Sequence, residues 1–209
     1  MKKKYIILSL MLLSAHPISG TVATETAHAG FLPYGRMYKA AKDDRAYTTQ
    51  ARDVRLQLQL HKAVLKEAPS NVINVSSYVY LEHGFLVGEV DSENQSKALV
   101  KAAGKLTGLN GVSYYLPLRK TENKPETSSA LELKLKSMLE PDYPSSKLTI
   151  KVVQDVVVVL GVLTHEEKKK ALNSLKDLAG VDKIINFIQT PSPQEVKRSR
   201  PRPLRNLFN

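Results

Sequence analysis

The strongest constraint on this chain is that it repeats itself: Gly88 and Gly161 stand 73 residues apart, Ala98 and Ala171 also 73, and Gly108 and Gly180 72. Each glycine closes a similar context. Leu86-Val87-Gly88-Glu89-Val90 leads through Asp91–Gln95 into an apolar pattern at Ala98, Leu99, Ala102 and Leu106, then Gly108–Val112. Val159-Leu160-Gly161-Val162-Leu163 leads through Thr164–Glu167 into Ala171, Leu172, Leu175 and Leu178, then Gly180–Ile184. Agreement across a strand, a helix and a glycine turn argues for duplication, so the fold must be one that half the chain can specify.

Each half reads as helix, strand, strand, helix, strand. The leading helices span about 46–67 and 129–140, the second ending at Pro141 and Pro144. Apolar strand runs follow, broken by turns expected at Glu82-His83-Gly84 and at Gln154-Asp155. The next helices open on Ser92-x-x-Gln95 and Thr164-x-x-Glu167, capping-box patterns in which side chains satisfy otherwise orphaned amides. Their single apolar stripes predict helices laid across small sheets. The fold class is therefore α+β, two tandem α-β-β-α-β two-layer sandwiches. Gly88, Gly108, Gly161 and Gly180 are read as structural, because a glycine inside a strand or at a helix end marks a bulge, a close approach or a turn.

The repeat occupies only part of the 209 residues. Lys2, Lys3 and Lys4 precede a short apolar run, Tyr5–Leu13, about half the roughly 20 residues a spanning helix needs. Residues 1–29 are expected to be a signal peptide cleaved near Ala27-His28-Ala29, and residues 30–45 an N-terminal extension. The domains expected are 46–120 and 129–190, joined by a linker at 121–128 and followed by a basic Pro/Arg tail at 191–209. The chain has no cysteine, which rules out disulfides, thiolate nucleophiles and Cys-ligated metals. The formal charge is +11, of which +5 falls in the tail from Lys197 onward. Export removes nucleic acid as the expected partner.

The segments Ile150–Val162 and Ala179–Asn186 carry a strand, a turn, an apolar strand ending in Leu160-Gly161-Val162, a helix, and Gly180-Val181-Asp182-Lys183-Ile184-Ile185-Asn186. This resembles the BON-domain family, and the first half resembles it less closely, because its expected turn lies nearer Gly88. The resemblance implies a BON-like fold and a non-enzymatic, exported envelope protein. Its modules would bind anionic phospholipid or other envelope proteins and help maintain the outer membrane under stress. It implies a periplasmic location, peripheral to the membrane, and no cofactor.

The residues themselves show no catalytic or metal-binding constellation: His61, His83 and His165 are scattered, and Glu166-Glu167 reads as cap and first-turn acidity. Two places gather cations without matching anions. In the helix at 46–67 a second apolar face, Val54, Leu58 and Leu65, lies opposite Leu56, Leu60 and Val64, with Arg55, Lys62 and Lys66 beside it. The favoured expectation buries this second face against the other repeat; the alternative leaves it to meet lipid or a protein. The tail offers Lys197, Arg198, Arg200, Arg202 and Arg205 with Leu207 and Phe208. The leading function is anionic-lipid binding. The rival is a periplasmic protein–protein scaffold or chaperone-like factor that docks an envelope machine.

Overall fold

The computed structural model describes residues 43, 45–68, 74–120, 125–178, 181 and 183–192. The expected signal peptide, nearly all of the N-terminal extension, Gly180 and the tail from 193 onward lie outside them. The order is α1 (Tyr47–Glu67), β1 (Val75–Tyr80), β2 (His83–Gly88), α2 (Glu93–Gly104), β3 (Gly111–Tyr115), α3 (Pro125–Leu139), β4 (Leu148–Val153), β5 (Val156–Val162), α4 (His165–Lys176) and β6 (Lys183–Gln189). The helix expected at 129 begins at Pro125, inside the expected linker, where a fixed φ suits a first turn.

Two three-stranded sheets form, ordered β1-β2-β3 and β4-β5-β6, each with one antiparallel hairpin and one parallel pair. Their registers coincide: Val75 faces Gly88 as Leu148 faces Gly161, and His83 faces Gly111 as Val156 faces Lys183. The first hairpin turn is Leu81-Glu82, not Glu82–Gly84. Both residues have positive φ, 51° and 61°, like Gln154 and Asp155 at 51° and 66°, so the two hairpins use the same primed two-residue turn. His83-Gly84 imitates a turn in sequence but belongs to β2.

Gly88 and Gly161 have φ of 155° and 150°, and a Cβ there would stand 1.8 Å from the Asn74 carbonyl oxygen and 2.2 Å from that of Lys147. The neighbouring strand therefore passes where only glycine leaves room. The helix entries differ slightly. Thr164 and Glu167 form a complete capping box, whereas Ser92 accepts from the Gln95 amide and Gln95 Oε1 accepts from Asp91 instead of from the cap residue.

Each sheet buries one face beneath its helices, with Leu56, Leu60, Val64, Leu86 and Leu99 in one core and Leu135, Ile150, Val157, Leu163 and Leu175 in the other. A third core lies between the sheets. Tyr80, Phe85 and Val87 meet Val153, Val158, Leu160 and Val162, and the Phe85 and Phe187 rings stand 5.6 Å apart. The halves thus stack sheet on sheet in four layers. The expectation that α1 fills the space between the halves is overturned: Val54 and Leu58 are 67% and 55% exposed. The reason lies in β5, buried at every position, since a three-stranded sheet apolar on both faces needs a cover on each.

Candidate functional site

α1 is positioned by its inner side, where Leu56, Leu60 and Val64 pack on the sheet. Asp53 falls on the same side and is buried. Its carboxylate accepts from the amides of Leu81 and Glu82, 2.9 Å each, and from Arg45 Nη1 at 2.6 Å. Arg45 also binds Asp43, donates to the Ser146 carbonyl of the second half at 3.3 Å, and lies over the Tyr80 ring, 5.1 Å from its centroid. Burial opposes its charge, but the two aspartates more than compensate and raise its pKa. Tyr80, pushed up to about 12 by burial, shares a hydrogen bond of 2.8 Å with Thr149. This cluster ties the start of α1, the first hairpin and the second half together. Sequence reasoning missed it, although a charged residue in register with Leu56, Leu60 and Val64 is a legible signal that something must pair with it.

The outer side of α1 is what this anchoring presents. Tyr47, Val54, Leu58 and Leu65 are exposed and, at 100° per residue, fall within a sector about 40° wide. Arg55, Lys62 and Lys66 run along one edge of it, all exposed and without an ion-pair partner among the described residues. The structure therefore gathers three of the sequence-derived candidates into one surface about 30 Å long. Lys197, Arg198, Arg200, Arg202, Arg205, Leu207 and Phe208 lie outside the described residues. On the other edge of the stripe, Val54, Gln57, Leu58 and His61 wall a trough of about 540 Å³ whose floor is Val75–Tyr78 of β1.

The equivalent hairpin of the second half is held differently. Glu132 of α3 reaches over β4, where its carboxylate accepts from the Val152 amide at 3.0 Å and holds Lys151 at 3.1 Å and Lys136 at 2.6 Å. Burial alone would raise the Glu132 pKa, but these three partners lower it.

The remaining titratable groups read as structural. His83 is bonded to Ser113 at 2.9 Å and lowered by burial, and His165 opens α4. Burial would raise Glu167, but Lys147 at 2.6 Å and the Thr164 cap bring it below its ordinary value. Among the described residues no group of three or more His, Asp or Glu could hold a metal ion, and no helix is long and apolar enough to cross a membrane.

The comparison with curated proteins gave no match. Among solved structures, the chain is similar to CdsD, a structural protein of the type III secretion system of Chlamydia trachomatis, with 14% identity over 69% of this chain and a TM-score of 0.29. The match spans 66% of that protein's chain, slightly under two thirds. The BON domain family matches residues 127–191, which take in nearly all of α3 and the whole of β4, β5, α4 and β6. A BON domain is thus detected at residues 127–191.

Proposed function

We propose that this is a non-enzymatic, exported envelope protein that adsorbs to anionic phospholipid through the outer side of α1, with the basic tail adding attraction. In this reading the first half is a second, diverged BON module packed back to back with the first-recognised one, and both work in the periplasm to support the outer membrane under stress. BON domains are associated with phospholipid binding in envelope proteins, and the four-layer stack leaves α1 on an outside face.

The observation that carries the reading is the exposed stripe of Tyr47, Val54, Leu58 and Leu65 beside Arg55, Lys62 and Lys66, which have no ion-pair partner among the described residues. An apolar strip enters the headgroup boundary while flanking cations meet anionic lipid, and at roughly 1 kcal/mol per basic residue three cations contribute at most about 3 kcal/mol before screening. The five tail cations would add a separate, salt-sensitive share.

Flotation with vesicles of graded anionic content tests it. Recovery should rise with anionic lipid, fall steeply when Arg55, Lys62 and Lys66 are changed to Glu together, and fall again when 197–209 are removed. Equal flotation of all forms, or equal binding to neutral vesicles, rules the reading out. A protein that ignores vesicles but carries one defined envelope partner would establish the scaffold role instead.

A further inference from the structure

α1 and α2 lie side by side on one face of the first sheet and bury their inner sides in the same core, Leu56, Leu60 and Val64 from α1 and Leu99 and Ala103 from α2. Two contacts fix which flank of α1 meets which neighbour. Gln57 and His61, on one flank, wall the trough over β1. On the other flank Gly108, just past the end of α2, comes so near Leu56 that a Cβ there would stand 3.1 Å from the Leu56 Cδ2. Reckoned at 100° per residue, Arg55, Lys62 and Lys66 lean toward that second flank, so the cationic row of α1 runs along the side that α2 occupies.

α2 continues the row. Lys97 and Lys101 each stand about 160° around the helix from buried Leu99, on the side away from the sheet, and Lys105 is the residue that caps its end. All three are exposed. Lys97 has one loose contact, 3.8 Å to Glu93, while Lys101 and Lys105 have no ion-pair partner among the described residues. With their caps, α1 and α2 carry seven exposed cations against two exposed carboxylates, Glu67 and Glu93. The helical layer of the other half is nearly balanced. Among the described side chains, α3 and α4 with Glu140 and Asp177 that follow them carry four exposed lysines against three exposed carboxylates. Two layers equivalent in fold therefore differ in charge, and the cationic one also bears the apolar stripe of α1.

We propose that the membrane-contacting surface is the whole helical layer of the first half, α2 as well as α1, with Lys101 and Lys105 meeting lipid phosphates beside Arg55, Lys62 and Lys66. The occupant is an anionic bilayer, because cations spread across an outer layer with an apolar strip among them are what an interfacial surface requires. A single helix would let the protein roll about the helix axis. Two helices define a plane, so the sheets lie parallel to the bilayer, and α3 and α4 face water roughly 30 Å from the first layer, three layer spacings of about 10 Å. This inference rests on the lipid reading and extends it from one helix to an orientation.

Flotation of the full chain with anionic vesicles tests the charges. Lys101→Glu combined with Lys105→Glu should lower partitioning at least about tenfold. Lys169→Glu combined with Lys176→Glu reverses as many charges on α4, several Debye lengths from the lipid at about 0.1 M salt, and should change partitioning less than about threefold. Because the chain has no cysteine, single cysteines carrying an environment-sensitive fluorophore test the orientation. Gly104→Cys suits α2, since a Cβ there meets nothing within 4 Å; Leu58→Cys marks α1 and Leu133→Cys marks α3, both at exposed positions. Emission should shift to the blue on adding anionic vesicles at 104 and 58 and stay unchanged at 133. If circular dichroism shows the double lysine variant misfolded, the three labels decide alone. Equal loss from the α2 and α4 charge reversals, or a shift at 133 as large as that at 104, overturns the proposal. A parent that floats and shifts at 58 but not at 104 overturns it and leaves the lipid reading of α1 standing; a parent that does not float at all overturns both.

Discussion

The first strands of the two hairpins, β1 and β4, occupy equivalent places in equivalent sheets, yet the leading helix above each spends its buried acid differently. β4 is sealed by one carboxylate, Glu132, which holds an outward amide and Lys151 at once. Over β1 the buried acid of the leading helix, Asp53, is instead spent on the hairpin turn and on Arg45. The same backbone thus has its strand edge or its hairpin turn held according to where one acid sits on the leading helix. What each half presents is decided by such single placements more than by topology.

The hardest way to break the comparison is to attack what the halves share. Gly161→Val and Gly88→Val both force a Cβ into a neighbouring carbonyl, so each should cost about 4 kcal/mol or more, visible as loss of cooperative thermal unfolding. A clearly milder effect at one glycine would show that its strand approach is looser than its twin's. Phe85→Ala comes next, at about 3–5 kcal/mol, because it empties the core between the sheets and disturbs both halves. If only the first half loses hydrogen-exchange protection, the shared core is not cooperative.

Glu132→Gln acts on the difference itself. It should cost about 1 kcal/mol, as charge-assisted bonds become neutral ones, and it should change the acid profile. Because the folded Glu132 pKa is lowered, its contribution is full above the unfolded value of 4.5 and is lost as pH falls below that toward the folded value. The melting temperature of the parent should therefore drop between about pH 5 and pH 3 more steeply than that of Glu132→Gln. Identical slopes would remove Glu132 as a stabilising lid. The smallest effect on folding belongs to Leu58→Glu, within about 0.5 kcal/mol because the side chain is largely exposed, although vesicle recovery should fall.

Local rules made much of this legible. The hairpin strands of the two halves keep the 73-residue offset, the Thr164 capping box formed as its spacing requires, and the glycines at 88 and 161 sit where the chain passes too close for a side chain. The first turn misread because His83-Gly84 has turn composition, while two non-glycine residues, Leu81 and Glu82, take positive φ. Asp53 secures that strained choice by accepting from both turn amides, contacts 28 and 29 residues distant in sequence.

The sequence by itself determined the elements, their order and which face of each helix is apolar, because periodicity and capping are local properties of the chain. Tertiary structure alone decided how the halves meet. Two surfaces competed for the space between them, the outer stripe of α1 and the bare faces of the sheets, and an apolar pattern states only that burial is favourable, not against what. The sheets won: β5 offers Val158, Leu160 and Val162, and β2 offers Phe85 and Val87, on faces that cover one another. A helix stripe 40° wide covers little of such a face, so it was left outside, where it became the candidate site.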